Sequence, residues 1–150
     1  MLRGQDSKRK RNIDNQKELM ETKKINTRTK GHNLERVIAK MMKDEMGFEF
    51  AKTSRFASRV LDNCKVDIAG VPFLIQAKAG YAKSRPKAEE IFKEIEENLL
   101  KNFPKDDPVH KYPKVLIHKI NGRQKFHNLV TMPYDDFKFL LLKIKDSYLS

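Results

Sequence analysis

The sequence predicts an α/β or α+β protein built around one mixed sheet, with the element order helix, three strands, helix, two strands, helix. Three segments place apolar residues at helical spacing, and the short apolar or alternating runs between them are typical of strands. We therefore expect a central mixed five-stranded sheet flanked by helices. At 150 residues, the chain has room for one such domain.

Residues 1–31 differ in composition from the rest of the chain. They are rich in Lys and Arg, have few aliphatic residues and contain no aromatic residue. Such a segment cannot bury enough apolar surface to offset the entropy lost on ordering. We predict a flexible basic arm over residues 1–31 and a folded domain over residues 32–150.

The first helix is predicted to begin near His32, since apolar residues recur at helical spacing from Leu34 onward, and Gly47 is placed to end it. Three strands are expected next, interrupted by a polar, basic loop and by a tight turn at residues 69–70. The strands are residues 48–51, 66–68 and 71–78, and the loop is residues 52–63.

The second half of the chain continues the alternation. A helix is predicted over residues 84–103, with an apolar stripe for the core and an acidic exposed face. Residues 115–120 and 126–132 are predicted strands, and Asn121–Gly122 between them is a strong turn signal. The last helix is residues 134–148, and the residues expected on its core face are Phe137, Leu140, Leu141 and Ile144.

Composition limits the possible partners and compartment. The chain has 32 Lys and Arg against 20 Asp and Glu, a net charge of +12 and a pI near 9.8, so a polyanion is the expected partner. A single cysteine excludes an internal disulfide framework and a multi-cysteine zinc site. Because no apolar segment is long enough for a signal-peptide core or a membrane helix, we expect a cytoplasmic (or nuclear) protein that contacts no membrane.

Two neighbouring strands carry the residues best suited to catalysis. With a period of two, Gln76 and Lys78 point to the same face of one predicted strand, opposite Asp67 on the strand before it. A carboxylate, an amide oxygen and the main-chain carbonyl of Ala77 are oxygen ligands for a divalent cation, and an ammonium attracts phosphate. The sequence therefore predicts a site for Mg²⁺ or Mn²⁺ beside a phosphate, which in so basic a chain belongs to nucleic acid.

Glu35 is the candidate for a further acidic ligand. On a helical wheel it falls at the margin of the apolar face formed by Leu34, Val37, Ile38 and Met41. A carboxylate at that margin can reach over the end of the sheet on which its helix packs. The alternative is an ordinary glutamate that faces solvent.

Four short patterns together resemble the PD-(D/E)XK nuclease superfamily. They are Gly31-x-x-x-Glu35, Gly47-Phe48, Val66-Asp67-Ile68-Ala69 and Ile75-Gln76-Ala77-Lys78. Within that superfamily, the archaeal Holliday-junction resolvases similarly open with a glutamate on the first helix, and the Mrr-type endonucleases carry Gln-x-Lys. The resemblance implies a restriction-endonuclease-like fold, Mg²⁺-dependent cleavage of DNA and frequent dimerisation.

The resemblance also assigns roles to four candidate catalytic residues. Glu35 and Asp67 would be metal ligands, Gln76 would occupy the usual acidic position, and Lys78 would be the catalytic lysine. Val66 precedes Asp67 where the motif has proline, which is a common departure that costs little. Gln76 replaces a carboxylate, and since a neutral amide binds Mg²⁺ less strongly, metal affinity or activity is expected to be lower.

Basic residues surround these positions in the sequence and are expected to contact a DNA backbone. They are Arg36, Lys40, Arg55, Arg59, Lys65, Lys83 and Arg85. By resemblance, Ser54 or Ser58 would match a serine of the resolvase loop. Phe56 could stack on an exposed base, although we expect it in the core. Because the sequence contains no obvious base-reading helix, we expect recognition of DNA shape rather than sequence.

The sequence thus favours a metal-dependent endonuclease that acts on branched or duplex DNA as a homodimer. A resolvase of Holliday junctions or other branched DNA is the leading subtype, because no separate specificity domain is visible, and a restriction-like or nicking enzyme is the next. One alternative is a non-catalytic nucleic-acid-binding protein on the same fold. Another is a basic structural or RNA-associated protein in which Asp67 and Lys78 form a surface ion pair.

Overall fold

The computed structural model describes residues 29–81, 85–120 and 128–149. In this part of the chain the protein is a mixed α/β structure with a two-stranded sheet, a three-stranded mixed sheet and several helices. Most of the predicted arm, residues 1–28, lies outside the described residues, as does the predicted turn at residues 121–122. The last residues of the predicted arm, 29–31, belong to the first helix, which therefore includes residues before His32.

The main elements follow the predicted succession of helix, strands, helix, strands, helix, but two short helices separate the first two strands and a 3-10 helix precedes the fourth strand. The elements are α1 (29–44), β1 (Lys52–Thr53), α2 (Ser54–Ala57), α3 (Arg59–Asn63), β2 (Ile68–Ala69), β3 (Leu74–Tyr81), α4 (Ala88–Asn102), a 3-10 helix (Pro108–Lys111), β4 (Lys114–Ile120), β5 (Asn128–Thr131) and α5 (Tyr134–Leu149).

The segment after α1 differs from its prediction. Residues 48–51 are not a strand, because their main chain forms local turns: Phe48 N–H donates to Met42 O at 2.9 Å and Ala51 N–H donates to Phe48 O at 3.0 Å. The predicted loop, residues 52–63, instead contains β1, α2 and α3. Ser58 begins α3, since its hydroxyl accepts a hydrogen bond from Leu61 N–H at 3.3 Å.

The described strands form two sheets rather than the predicted single five-stranded sheet. β3, β4 and β5 lie side by side in that order, with β3 parallel to β4 and β4 antiparallel to β5, and β1 pairs with β2 in a separate antiparallel ribbon. Between β2 and β3, Asp67 N–H donates to Ile75 O at 2.7 Å, but the next N–H along β3, that of Ala77, donates to the Asp67 carboxylate. The ladder stops there because a side chain has replaced the main-chain acceptor.

β3 is buried on both faces, which explains its nearly continuous apolar sequence. On one face Ile75 and Ala77 pack with the buried residues of α1. On the other face Leu74 packs with Ile95 and Leu99 of α4. The segment that leads into β2 therefore meets β3 between two layers of helices, and this is where the candidate site lies.

The predicted core face of α5 is wrong. Phe137, Leu141 and Ile144 are exposed, and Leu140 is only half-buried. The start of α5 is attached to the sheet by a hydrogen bond of 2.9 Å from Lys114 N–H to the Asp136 carboxylate. The rest of the helix extends with its apolar stripe uncovered by the described residues.

No helix within the described ranges is both long enough and apolar enough to span a membrane.

Gly70 offers a test of the turn between β2 and β3. Its φ is +79°, and a Cβ added there would overlap the carbonyl oxygen of Phe50. We expect Gly70→Ala to lower the free energy of unfolding by about 2–5 kcal/mol, because left-handed strain and steric overlap add. Gly31→Ala is the matched control: a Cβ at this position in α1 meets nothing within 4 Å, so about 0.5–1 kcal/mol should be gained. Urea unfolding measures both, and equal stability of the two variants would contradict the expectation.

Candidate active site

Asp67 is held at the point where β2 and β3 separate. Its carboxylate accepts a hydrogen bond of 2.7 Å from Ala77 N–H, and its own N–H donates to Ile75 O at 2.7 Å. Its main-chain oxygen accepts a hydrogen bond of 2.8 Å from Ser54 N–H at the start of α2. These bonds fix the orientation of the carboxylate relative to β3, on which two other candidate residues lie.

The charged form of Asp67 is destabilised where it sits. Burial raises the pKa of Asp67 to about 7, against the lowering effect of the Ala77 hydrogen bond. The charge of Glu35 raises this pKa further, and the charge of Lys78 lowers it. Glu35, Asp67 and Lys78 are therefore close enough to interact electrostatically. A carboxyl group that titrates near neutral pH, beside a second carboxylate and an ammonium, is typical of a functional site.

Glu35 is more deeply placed than its sequence position suggests. The buried residues of α1 are Leu34, Ile38, Ala39 and Met42. Val37, predicted at the centre of the apolar face, is exposed. The buried face is thus rotated toward Glu35, whose side chain is only 14% exposed. The alternative of a solvent-facing glutamate does not describe this side chain.

Arg55 on α2 connects Glu35 to His32. Its guanidinium lies 3.5 Å from the Glu35 carboxylate and 2.9 Å from Nε2 of His32. Burial raises the pKa of Glu35, and the charge of Arg55 partly offsets that effect. Arg55, predicted only as a DNA contact, therefore also stabilises the charged form of a candidate ligand.

Gln76 and Lys78 lie on β3, with side chains on the same face as predicted from the period of two. Gln76 is 6% exposed, and its side-chain oxygen Oε1 is buried without a hydrogen-bond partner. Lys78 is half-buried and lines a groove of about 410 Å³. Arg85 and Lys87, which precede α4, line the same groove together with Glu90 and Glu94 of α4, so cationic and acidic side chains share it.

The donor atoms suit a hard divalent cation. Glu35 and Asp67 supply carboxylate oxygens, Gln76 supplies an amide oxygen, and Ala77 supplies a main-chain carbonyl. The orphaned Oε1 of Gln76 favours this fit, because a buried acceptor without a partner is costly and a cation would satisfy it. Within residues 29–81, 85–120 and 128–149, no three or more His, Cys, Asp or Glu residues are grouped to hold a metal. The third side chain of the candidate set is an amide, so this set has only two carboxylates.

The predicted DNA contacts divide into three groups. Arg36, Lys40, Arg55, Arg59, Lys65 and Arg85 are exposed residues, as a backbone contact requires. Ser54 is fully buried, and the Ser58 hydroxyl caps α3. Lys83 lies outside the described residues.

Phe56, expected in the core, is instead 78% exposed, with the Arg55 guanidinium 5.8 Å from its ring centroid. An aromatic ring this exposed is available for stacking.

Three residues near the site were not predicted from the sequence. His32 contacts Arg55, and the charge of Asp62 raises the pKa of both Glu35 and Asp67. His118 on β4 is the register partner of Lys78. Helical spacing could have placed His32 beside Glu35, three residues further along α1, whereas Asp62 and His118 reach the site through packing between distant segments.

Glu35, Asp67 and Lys78 are close enough to interact electrostatically, and Gln76 lies between Ile75 and Ala77, the two residues of β3 to which Asp67 is hydrogen-bonded. Such a set can bind a divalent cation and attract a phosphate, which are the requirements of phosphodiester hydrolysis. Comparison of the chain with protein-family models, with curated proteins and with solved structures finds no match.

Proposed function

We propose that the protein is a metal-dependent DNA endonuclease with a restriction-endonuclease-like fold. The observation that carries the proposal is the convergence of Glu35, Asp67 and Lys78, which interact electrostatically although they come from α1, from the residue before β2 and from β3. A parallel β3–α4–β4 unit beside the site fits the proposed fold. The Mrr-like Gln-x-Lys pattern and the orphaned Gln76 oxygen support the same chemistry.

Each residue has a distinct role in this proposal. Glu35, Asp67, Gln76 and the Ala77 carbonyl would hold Mg²⁺ or Mn²⁺. The bound cation would supply an activated water and neutralise charge on the attacked phosphate. Ala77 N–H fixes the Asp67 carboxylate, and Arg55 holds the Glu35 carboxylate in place. Lys78 orients the phosphate and stabilises the negative charge that develops on it during hydrolysis.

Branched or duplex DNA is the proposed substrate. The net charge of +12 and the exposed basic residues around α1, α2 and α3 support a polyanionic partner. Five exposed glutamates on α4 make that helix unsuitable for a DNA-facing role: Glu89, Glu90, Glu94, Glu96 and Glu97. Binding to phosphates rather than bases predicts selection of DNA shape and a steep loss of affinity with salt.

We also propose that the enzyme is a homodimer joined through α5. The apolar stripe of α5 has the alternating three- and four-residue spacing of a helix–helix seam. Its residues are each 46% to 86% exposed: Tyr134, Phe137, Leu141, Ile144 and Tyr148. A second copy supplies the same stripe, as a two-fold interface requires. Parallel pairing places Lys145 against the partner's Leu140, whereas antiparallel pairing would bring Lys138 and Lys145 together. Charge therefore favours the parallel arrangement.

The dimer is tested by charge placed on the stripe. Leu141→Glu is expected to weaken dimerisation about 100-fold or more, because it buries an unpaired carboxylate in the seam. Leu142→Glu is the control, since Leu142 is also exposed but lies off the stripe. Sedimentation equilibrium measures both. A wild-type monomer, or equal effects of the two changes, would remove the proposed interface.

Cleavage assays test the proposed activity. Wild type and Asp67→Ala are incubated with labelled four-way junction, flap, duplex and single-stranded DNA, in Mg²⁺, Mn²⁺ or EDTA. We expect metal-dependent cutting by wild type alone, with the junction or flap preferred. Preferential cutting or nicking of duplex would instead indicate the restriction-like or nicking subtype.

A non-catalytic nucleic-acid-binding protein is the second candidate. Gln76 favours it, because the site then has one negative charge fewer with which to hold a metal. Binding of DNA without cutting in any metal, unchanged by Asp67→Ala, would establish this function in place of the nuclease.

A further inference from the structure

The segment that contains β1, α2 and the start of α3 exposes apolar side chains among cations. The exposed apolar residues are Phe50, Phe56 and Val60. The exposed cations that lie between them in the sequence are Lys52, Arg55 and Arg59. One exposed apolar residue is ordinary on a protein surface, but several in one short segment are typical of a binding surface. Aromatic rings interleaved with cations suit single-stranded nucleic acid, because the rings stack on bases and the cations contact phosphates.

The direction of the Phe56 side chain is fixed by the way α2 is attached to the protein. Ser54, the first residue of α2, is fully buried, and its N–H donates to the main-chain oxygen of Asp67 at 2.8 Å. Successive residues of a helix are rotated by about 100°, so Phe56 points to nearly the opposite side from Ser54. The ring is therefore presented to solvent by a turn that is hydrogen-bonded to a candidate metal ligand.

Arg55 connects the same ring to a second candidate ligand. Its guanidinium lies 3.5 Å from the Glu35 carboxylate and 5.8 Å from the centroid of the Phe56 ring. A single guanidinium thus separates the ring from the candidate metal site. A base stacked on Phe56 would bring its own phosphate close to Arg55 and to that site.

We propose that Phe56 is a stacking residue for an unpaired base of the DNA substrate. In a duplex each base is covered by its neighbours, so only an unpaired nucleotide offers a free face to the ring. The phenyl ring has no hydrogen-bonding group and accepts any base, which gives selection of DNA structure without sequence. The substrate class, branched DNA with unpaired nucleotides at the branch, rests on the proposed nuclease function, whereas the stacking itself does not.

Tryptophan fluorescence tests the stacking directly. The chain contains no tryptophan, so Phe56→Trp introduces a single reporter. The full chain is titrated with oligothymidylate in EDTA, and we expect its fluorescence to be quenched as a base stacks on the indole. Phe139→Trp is the matched control, because Phe139 on α5 is also exposed and has the Lys143 ammonium 5.4 Å from its ring centroid. Binding without quenching in Phe56→Trp, or equal quenching in both variants, would overturn the proposal.

Binding affinities test the selection of unpaired DNA. Anisotropy of labelled DNA in EDTA compares a flap of unpaired thymidines with a fully paired duplex. We expect Phe56→Ala to weaken binding of the flap about 5- to 100-fold, the effect of losing one stacked base, and to leave duplex binding little changed. Phe139→Ala should bind both probes as wild type does. Equal weakening on flap and duplex would show that the ring does not select unpaired bases and would overturn the proposal.

The outcomes separate this proposal from the nuclease function. If Phe56→Ala loses the flap but wild type cuts no DNA in any metal, the stacking stands and the nuclease function fails. If wild type cuts DNA but Phe56→Ala binds every probe as wild type does, the nuclease stands and the stacking fails. A change of oligomeric state in Phe56→Ala, measured by sedimentation, with DNA binding unchanged would assign the ring to a contact between copies and overturn the proposal.

Discussion

Asp67→Asn is expected to abolish cleavage and, at the same time, to stabilise the protein above pH 7. Activity should fall about 10³-fold or more, because a metal contributes several kcal/mol to the reaction and an amide binds it poorly. The fold should survive, since the oxygen of asparagine can still accept the hydrogen bond from Ala77 N–H. The gain in stability has a different cause, which is the removal of a buried charge.

The sign follows from the pKa of the wild-type carboxyl group. Burial raises the pKa of Asp67 from its ordinary value of 3.8 to about 7 in the folded state. The folded protein therefore binds the proton more tightly than the unfolded chain does. The stability contributed by the protonated group is fully present below about pH 4, declines as the pH rises to 7 and is absent above it. The amide introduced by Asp67→Asn does not ionise, so this decline disappears, with a difference of up to roughly 4 kcal/mol at pH 8.

Urea unfolding in EDTA at pH 4 and at pH 8 measures the effect. The two proteins should be similarly stable at pH 4, and Asp67→Asn should be the more stable at pH 8. Added Mg²⁺ should raise the melting temperature of wild type at pH 8 and leave that of Asp67→Asn unchanged. Asp44→Asn, at the exposed last residue of α1, is the control, and its stability at pH 4 and at pH 8 should equal that of wild type. The prediction would be contradicted if the difference in stability between wild type and Asp67→Asn were the same at pH 4 and at pH 8. That result would show that the pKa of Asp67 is not raised in the folded protein.

Lys78→Met is expected to lower kcat about 10²- to 10⁴-fold while DNA binding is retained. Methionine keeps most of the length and apolar volume of the half-buried lysine stem but removes its charge. The loss should fall on kcat because the role proposed for the ammonium is to stabilise charge that develops at the phosphate. Binding depends on many exposed basic residues, and the removal of one charge among them changes affinity little.

Lys119→Met is the matched control, since Lys119 is an exposed lysine on the neighbouring strand, adjacent in sequence to His118. It should retain kcat. Single-turnover cleavage and a separate binding titration in EDTA distinguish the two effects. A Lys78→Met enzyme with wild-type kcat would exclude Lys78 from catalysis, and loss of binding alone would assign it to DNA contact.

The sequence was sufficient to predict the neighbouring positions of Asp67, Gln76 and Lys78. Their relation is local: a short turn joins the strands, and the period of two puts Gln76 and Lys78 on one face. The end of the ladder between β2 and β3 was not predictable in the same way. It depends on the Asp67 side chain taking the Ala77 N–H, and hydrophobic pattern carries no information about a side chain that replaces a main-chain acceptor.

The apolar faces of the helices show the same division. The pattern of α4 correctly predicts its buried residues Ile95 and Leu99 and its acidic exposed face. The pattern of α1 predicts a helix but misplaces its buried face, because packing against Ile75 and Ala77 selects the side that carries Glu35. The stripe of α5 is also correctly helical, yet the described residues do not cover it.

The sequence by itself determined the main helices, the basic charge and the strand that carries Gln76 and Lys78. Only the tertiary structure decided that Arg55 pairs with Glu35, that Phe56 is exposed and that His118 lies beside Lys78. The physical reason is the range of the interactions. Periodicity and turn chemistry fix relations within an element or between adjacent ones. Contacts between distant segments depend on which faces pack together, and that is settled by the whole core.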